Sequence, residues 1–209
     1  MLTLTNKNWL LAINNLKKKD KILKKIINKY NKSEKITSKK NAFYTLAKSI
    51  TGQQISVKAA NAIWSKLEKK IKKINPNNLL KIKRNEIKKC GFSKQKINYI
   101  LNLANFFIKN KQIEKKWEKM NDEEIVEDLI KIKGIGKWTA EMFLIFYLLR
   151  PNIFPISDLG LHKAISINYK IKYPLNELEI EKFKKKWNPW ATVAIWYLWR
   201  SLDPIPVKY

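Results

Sequence analysis

Several residue types are nearly missing from this chain, and each shortage closes a class of function. Cys90 is the single cysteine in 209 residues, which excludes an internal disulfide and leaves too few thiolates for an iron–sulfur cluster. His162 is the only histidine, so no zinc site can be assembled from imidazoles. There are only five glycines, and two of them fall within three residues of each other, at Gly134 and Gly136. Long apolar runs are absent: Ala140 to Leu149 and Ala191 to Trp199 are the strongest, and both are too short to cross a bilayer. Met1 to Asp20 lacks the basic segment, apolar stretch and small-residue cleavage site of a secretory signal. A reducing, cytoplasmic setting is expected, a bacterial-type cytosol or nucleoid, with no membrane partner and no cofactor.

Acidic residues are also scarce. Seventeen of them face 44 lysines and arginines, giving a formal net charge of +27 and favouring a polyanionic partner through counterion release. Arg84, Arg150 and Arg200 are the only arginines, so 41 of the basic residues are lysine. With abundant asparagine and isoleucine, that bias suggests an AT-rich coding sequence, which would raise lysine on any surface and weakens the inference from charge alone.

What is present reads as helix throughout. Apolar residues recur at helical rather than alternating spacing, and no two strand-like runs are joined by a hairpin signal, so the fold class is all-α. Trp9 to Tyr30 suits one or two amphipathic helices, and Asn31 to Lys40 a charged connector. Ala42, Phe43, Leu46, Ala47 and Ile50 mark a helix ended by Gly52. Ser56 caps a successor with core positions Val57, Ala60, Ile63 and Leu67. Asn75 to Asn78 opens a short unit, which Cys90 to Ser93 breaks before a helix from Lys94 to Lys109. Asn121 caps a helix carrying Ile125, Val126, Leu129 and Ile130, and Lys137 to Leu149 is apolar on nearly every side, as a buried central helix requires. Proline-punctuated loops then lead to a last helix, roughly Pro189 to Ser201. Lys184 to Lys186 reads as a solvated face.

The run Ile132-Lys133-Gly134-Ile135-Gly136-Lys137-Trp138-Thr139-Ala140 is the most informative. Its glycines permit backbone angles that a Cβ disfavours, which lets one helix turn sharply into the next. Amides of Gly134, Ile135, Gly136 and Lys137 would then project from a helix N-terminus, where unpaired donors and the dipole attract a phosphate. An ordinary helix-turn-helix corner is the competing reading. Asp158, behind Phe154-Pro155-Ile156-Ser157, either places a carboxylate in a site or caps a helix beginning near Leu159; the two roles can coexist.

Together these segments resemble the helix-hairpin-helix DNA glycosylases, and in particular 3-methyladenine DNA glycosylase II of the alkylation-repair branch. Ile50-Thr51-Gly52-Gln53-Gln54-Ile55-Ser56-Val57-Lys58-Ala59-Ala60 resembles that family's minor-groove loop, and Trp187-Asn188-Pro189-Trp190 its tryptophan-rich element. The resemblance implies a compact two-lobed helical fold without the N-terminal β-rich domain of larger members. One lobe would span about 41–150 with the hairpin and the other about 1–40 plus 151–209, with the active cleft between them. It further implies a monomer acting on double-stranded DNA that contains damaged bases, with the damaged nucleotide flipped out of the stack.

Residue by residue, the resemblance makes Gln54 the wedge that fills the vacated stack and Gln53 its minor-groove neighbour, although a polar wedge departs from the leucine of some relatives. A solvated amide pair ending a helix is the plainer alternative. Asp158 becomes the catalytic carboxylate that stabilises an oxocarbenium-like sugar. Trp138 stands where lyase-competent relatives carry a lysine nucleophile, which implies a monofunctional hydrolase. Trp138, Trp190 and Met142 become base-pocket walls, since indole faces attract a cationic alkylated purine; for all three, plain core packing competes. Trp187 reads as core, Lys137 as a phosphate contact or a solvated lysine, and His162 as a partly exposed structural residue. No side-chain metal site is implied, only a structural ion on hairpin carbonyls as in relatives. The resulting expectation is hydrolysis of the N-glycosidic bond of alkylated purines such as 3-methyladenine and 7-methylguanine. A same-fold enzyme for another damaged or mispaired base and a noncatalytic DNA-binding module are the alternatives.

Overall fold

Side-chain caps start most of the helices where the sequence places a Ser, Thr, Asn or Asp. In the computed structural model, which describes residues 2–30, 35–38 and 41–203, there are thirteen α-helices and no strand among the described residues. Most of the expected Asn31 to Lys40 connector lies outside the described residues. Thr5, Asp20, Asn41, Ser56, Asn75, Ser93, Asn121, Asp158 and Asn176 each accept a backbone amide at a helix start, and each such cap stabilises by about 1 kcal/mol. Asn121 with Glu124, and Asn176 with Glu179, form reciprocal capping boxes.

The chain divides into two units, Ser38–Tyr147 and Leu2–Thr37 together with the chain from Leu148 on. The first holds α3 (Ala42–Gly52), α4 (Val57–Lys70), α5 (Pro76–Lys81), α6 (Arg84–Lys89), α7 (Lys94–Lys109), α8 (Ile113–Lys119), α9 (Asp122–Ile130) and α10 (Lys137–Phe146). Helix α10 packs on α3 and α9, and α7 packs on α3 and α5. Eight of the ten residues of α10 are buried, so its uniform apolarity answers to a central position. It is shorter than the sequence suggests: Tyr147 caps it and Leu149 takes a positive φ of 54°.

Aromatic rings knit this core. Trp117, fully buried, stacks edge-on against Phe107 and Phe143 at 5.9 and 5.3 Å, and its indole N–H donates to Asp128 at 2.9 Å. Trp64 donates to the hydroxyl of Tyr44, which in turn donates to Glu68. Full burial of each large side chain contributes about 1.5–3 kcal/mol. In α4 the core positions are Trp64 and Leu67, whereas Val57 is exposed; the first turn of that helix leaves the packed face. Ile130 is likewise exposed.

The second unit holds α1 (Asn6–Lys19), α2 (Lys21–Lys29), α11 (Leu159–Tyr169), α12 (Glu177–Trp187) and α13 (Ala191–Leu202). Helix α13 packs against α1, α2, α11 and α12, with nine buried residues. Asp20 breaks the Trp9 to Tyr30 segment into two helices and is 1 % exposed. Its carboxylate accepts the amides of Ile22 and Leu23, the Tyr169 hydroxyl at 2.7 Å, the Trp187 indole at 3.2 Å and Lys186 at 2.8 Å. Burial pushes this carboxyl up, but the donors outweigh it and hold it below the ordinary aspartate value. Trp187 is fully buried, and Lys186 departs from the solvated face expected of its neighbours because it closes the Asp20 cluster.

Candidate functional site

The corner between α9 and α10 is built by two short turns, Ile132 N–H to Leu129 O at 3.0 Å and Ile135 N–H to Ile132 O at 2.9 Å. Its two glycines serve different ends. Gly134 has φ +100°, and a Cβ there would lie 2.3 Å from the Tyr99 ring, so both backbone angle and packing demand glycine. Gly136 has φ −99° and ψ 176°, extended backbone open to any residue, and a Cβ on it would meet nothing within 4 Å. The expectation that both glycines serve the turn is therefore corrected: only Gly134 does.

Gly136 is the N-cap of α10 and supplies no side chain to it. No side chain caps the first turn of that helix, and an N-terminus of this kind is where helices receive anions. Ile135 stands apart from the other three corner residues, because its amide is used inside the turn and its side chain is buried. Lys137 is exposed at the first position of the helix.

The loop joining α3 to α4 lies against this corner. Gln53 Nε2 donates to Gly134 O at 3.0 Å and to Thr139 Oγ1 at 2.9 Å, so its amide is turned onto the hairpin. Gln54 is exposed with φ +58°, a left-handed conformation that is uncommon for such a residue. A polar hollow of about 340 Å³ opens beside the corner, lined in part by Gln53, Gln54, Lys96 and Tyr99. The carbonyls of Ile132 and Gly134 each accept a protein hydrogen bond. Among the described residues no three His, Cys, Asp or Glu side chains cluster to hold a metal.

Asp158 is the N-cap of α11. Its Oδ1 accepts the Leu161 amide at 2.5 Å and the indole N–H of Trp199 at 3.1 Å, while its own amide donates to Pro155 O at 3.0 Å. The carboxylate is half-buried and fixed by donors from two helices. Gly160 lets it sit close, since a Cβ there would come within 3.1 Å of Oδ1. Trp199 escaped the sequence reading. The only signal for it was an aromatic about two helical turns into an apolar helix, which resembles core. His162, expected to be partly exposed, is buried: Nδ1 accepts the Leu175 amide at 3.3 Å and Nε2 contacts Ile156 O at 2.7 Å. It ties together the loops flanking α11.

Of the expected pocket residues, Trp138 is half-buried and Met142 is 2 % exposed, four residues apart on α10. Met142 belongs to the closed side of that helix. Trp190 is half-buried at the N-cap of α13, its amide donating to Trp187 O at 2.6 Å. Asp158, Trp190 and Trp199 lie in the second unit, and Trp138, Met142, Gln53 and Gln54 in the first.

Residues 47–189 match the family described as HhH-GPD superfamily base excision DNA repair protein. The chain is 30% identical over 186 residues to DNA-3-methyladenine glycosylase 1 of Schizosaccharomyces pombe, covering 87% of this chain and 81% of that protein. It is 39% identical over 150 residues to DNA-3-methyladenine glycosylase of Saccharomyces cerevisiae, covering 67% of this chain and 49% of that one. The solved structure of an S. pombe 3-methyladenine DNA glycosylase in complex with abasic DNA superimposes with a TM-score of 0.81 at 27% identity, covering 94% of this chain and 99% of that one. No helix among the described residues is long and apolar enough to cross a membrane.

Proposed function

This chain belongs to the HhH-GPD superfamily of base excision DNA repair proteins, and from that premise we propose that it is a monofunctional glycosylase removing alkylated purines from duplex DNA. The observation that carries the proposal is the fixed carboxylate of Asp158, braced by Trp199 and the start of α11. Cleavage of an N-glycosidic bond builds positive charge on the deoxyribose, and a preorganised carboxylate stabilises that charge without reorganising during the reaction. The same group orients or deprotonates the attacking water. An N3- or N7-alkylated purine is already cationic and leaves without a dedicated general acid, so one carboxylate suffices.

The corner between α9 and α10 grips a phosphate through the amides of Gly136 and Lys137, and the open space where a Cβ of Gly136 would sit admits the DNA backbone. Gln54 fills the vacated stack. Trp138 in the first unit and Trp190 in the second are each assigned to the flipped base as an indole face, which its positive charge favours. With an indole at Trp138 no Schiff base forms there, which supports hydrolysis without strand cleavage.

The test is release of methylated base from N-methylpurine duplex DNA by the wild type and by Asp158→Asn, with gel analysis for strand nicking. The variant is expected to lose about two to four powers of ten in rate, and the wild type to leave intact abasic strands. Equal release by the two proteins would remove Asp158 from the chemistry. A panel of oligonucleotides bearing oxidised guanine, mispaired adenine or uracil reports whether another base is taken instead.

A further inference from the structure

Lys96 is unlike the solvated lysines that dominate the chain. It sits in the first turn of α7, and its ammonium reaches out of that helix to donate to Thr51 O and Gln53 O, each at 2.7 Å. Both acceptors belong to the C-terminal end of α3, where carbonyls lack intrahelical partners and the dipole is negative. Gln53 is the C-cap residue there, and its amide makes only a long 3.3 Å bond to Ile50 O. The ordinary glycine-based C-cap is missing, because Gly52 is the last helical residue rather than the one beyond it. Lys96 supplies what that cap would have supplied. Burial holds its ammonium below the usual lysine range, which is the cost of drawing a cation out of water to this position.

Gln53 is consequently gripped from two sides. Its main-chain carbonyl is held by Lys96, and its side-chain amide is held by Gly134 O and Thr139 Oγ1. The next residue, Gln54, takes the disfavoured positive φ of 58° and is exposed. A strained exposed residue persists only when its surroundings over-determine it, and the two clamps on Gln53 are the surroundings that do so here.

We propose that Lys96 is a positioning residue that presets the Gln53–Gln54 loop in register with the hairpin, so that Gln54 enters the duplex at a fixed distance from the gripped phosphate. The inference rests on the base-excision reading. It assigns Lys96 no contact with DNA: two of its three donors are already directed at protein carbonyls.

The experiment compares Lys96→Met, Gln54→Ala and the double variant in single-turnover excision from two duplexes. One carries 7-methylguanine opposite cytosine, and the other carries the same lesion opposite an abasic gap, where extrusion meets little resistance. Lys96→Met is expected to slow excision from the paired duplex by about ten- to a hundredfold while changing the gapped substrate little. The double variant is expected to be no slower than the slower single one, the signature of two residues acting as one unit. Equal losses on both substrates would reduce Lys96 to a merely structural lysine, and wild-type rates on both would remove it altogether.

A second readout does not depend on turnover. Fluorescence of 2-aminopurine placed beside an abasic analogue reports local unstacking when the protein binds, and the change is expected in the wild type and to be lost in Lys96→Met. If the wild type perturbs the reporter but excises nothing, the excision reading fails while the loop assignment stands. If Lys96→Met perturbs it as the wild type does, the loop assignment fails. Thermal melts monitor folding, and Lys96→Gln, which retains a neutral donor, replaces the methionine variant if that one does not fold.

Discussion

The indole N–H of Trp199 lies 3.1 Å from Oδ1 of Asp158, the same oxygen that accepts the Leu161 amide. Two helices therefore aim one carboxylate: α11 through the capping amide and α13 through the tryptophan. Neither contact alone fixes a side chain with two rotatable bonds, whereas two donors converging on one oxygen do. Trp199→Phe keeps an aromatic ring and deletes the donor. It is expected to lower the single-turnover rate by about tenfold, the loss of one hydrogen bond to a charged group, with unchanged affinity for an abasic-analogue duplex. An affinity loss equal to the rate loss would instead place Trp199 among the binding contacts.

The corner glycines separate stability from binding. Gly134→Ala forces a Cβ into the Tyr99 ring at positive φ and is expected to destabilise the first unit by about 2–4 kcal/mol. Adding Tyr99→Ala should relieve only the steric part. Gly136→Ala meets no protein atom and is expected to cost less than about 1 kcal/mol, yet to weaken duplex binding about tenfold by displacing a phosphate from the amides. Urea unfolding and fluorescence anisotropy check the two halves. Tight binding by Gly136→Ala would show that no phosphate approaches there.

Lys137 is exposed beside those amides, and its contribution is read from salt rather than from affinity at one condition. Plotting log K for an abasic-analogue duplex against log[KCl] gives a slope set by the number of phosphates neutralised. Lys137→Ala is expected to reduce its magnitude by about 0.9. An unchanged slope identifies an ordinary surface lysine.

Asp20 anchors the second unit. Its carboxyl is held below the ordinary aspartate value of 3.8, so the stability it contributes is fully present above pH 3.8 and is lost as pH falls through the lower folded value. Asp20→Ala removes a buried carboxylate that serves the Lys186, Tyr169 and Trp187 donors and is expected to cost about 3–5 kcal/mol at neutral pH. The difference from wild type should shrink as the unfolding measurements are carried below pH 3.8. A difference that stays constant with pH would mean that packing, not the ionised carboxylate, is what the substitution removes.

Where local chemistry decided the structure, it was readable beforehand. Ser93 starts the helix at Lys94 because its side chain accepts a backbone amide three residues on, and Asn121 and Glu124 cap each other for the same short-range reason. Asp158 was identifiable because its segment and the glycine corner follow a known family order. Trp199 and Lys96 were not identifiable, since Trp199 acts on a residue 41 positions away and Lys96 on residues 45 and 43 positions away. Nothing within a helical turn of either distinguishes it from its neighbours.

The sequence by itself determined the all-helical architecture, most helix starts and the identity of the family, because periodicity, capping and short motifs act over a few residues and need no partner from elsewhere in the chain. Only tertiary structure decided that one glycine of the corner serves the turn while the other leaves open space, that Gln53 is pinned to the hairpin, and that the indole of Trp199 reaches the Asp158 carboxylate. Those outcomes depend on the direction in which a side chain leaves its helix and on what is packed against it, and both are set by distant parts of the chain arriving together.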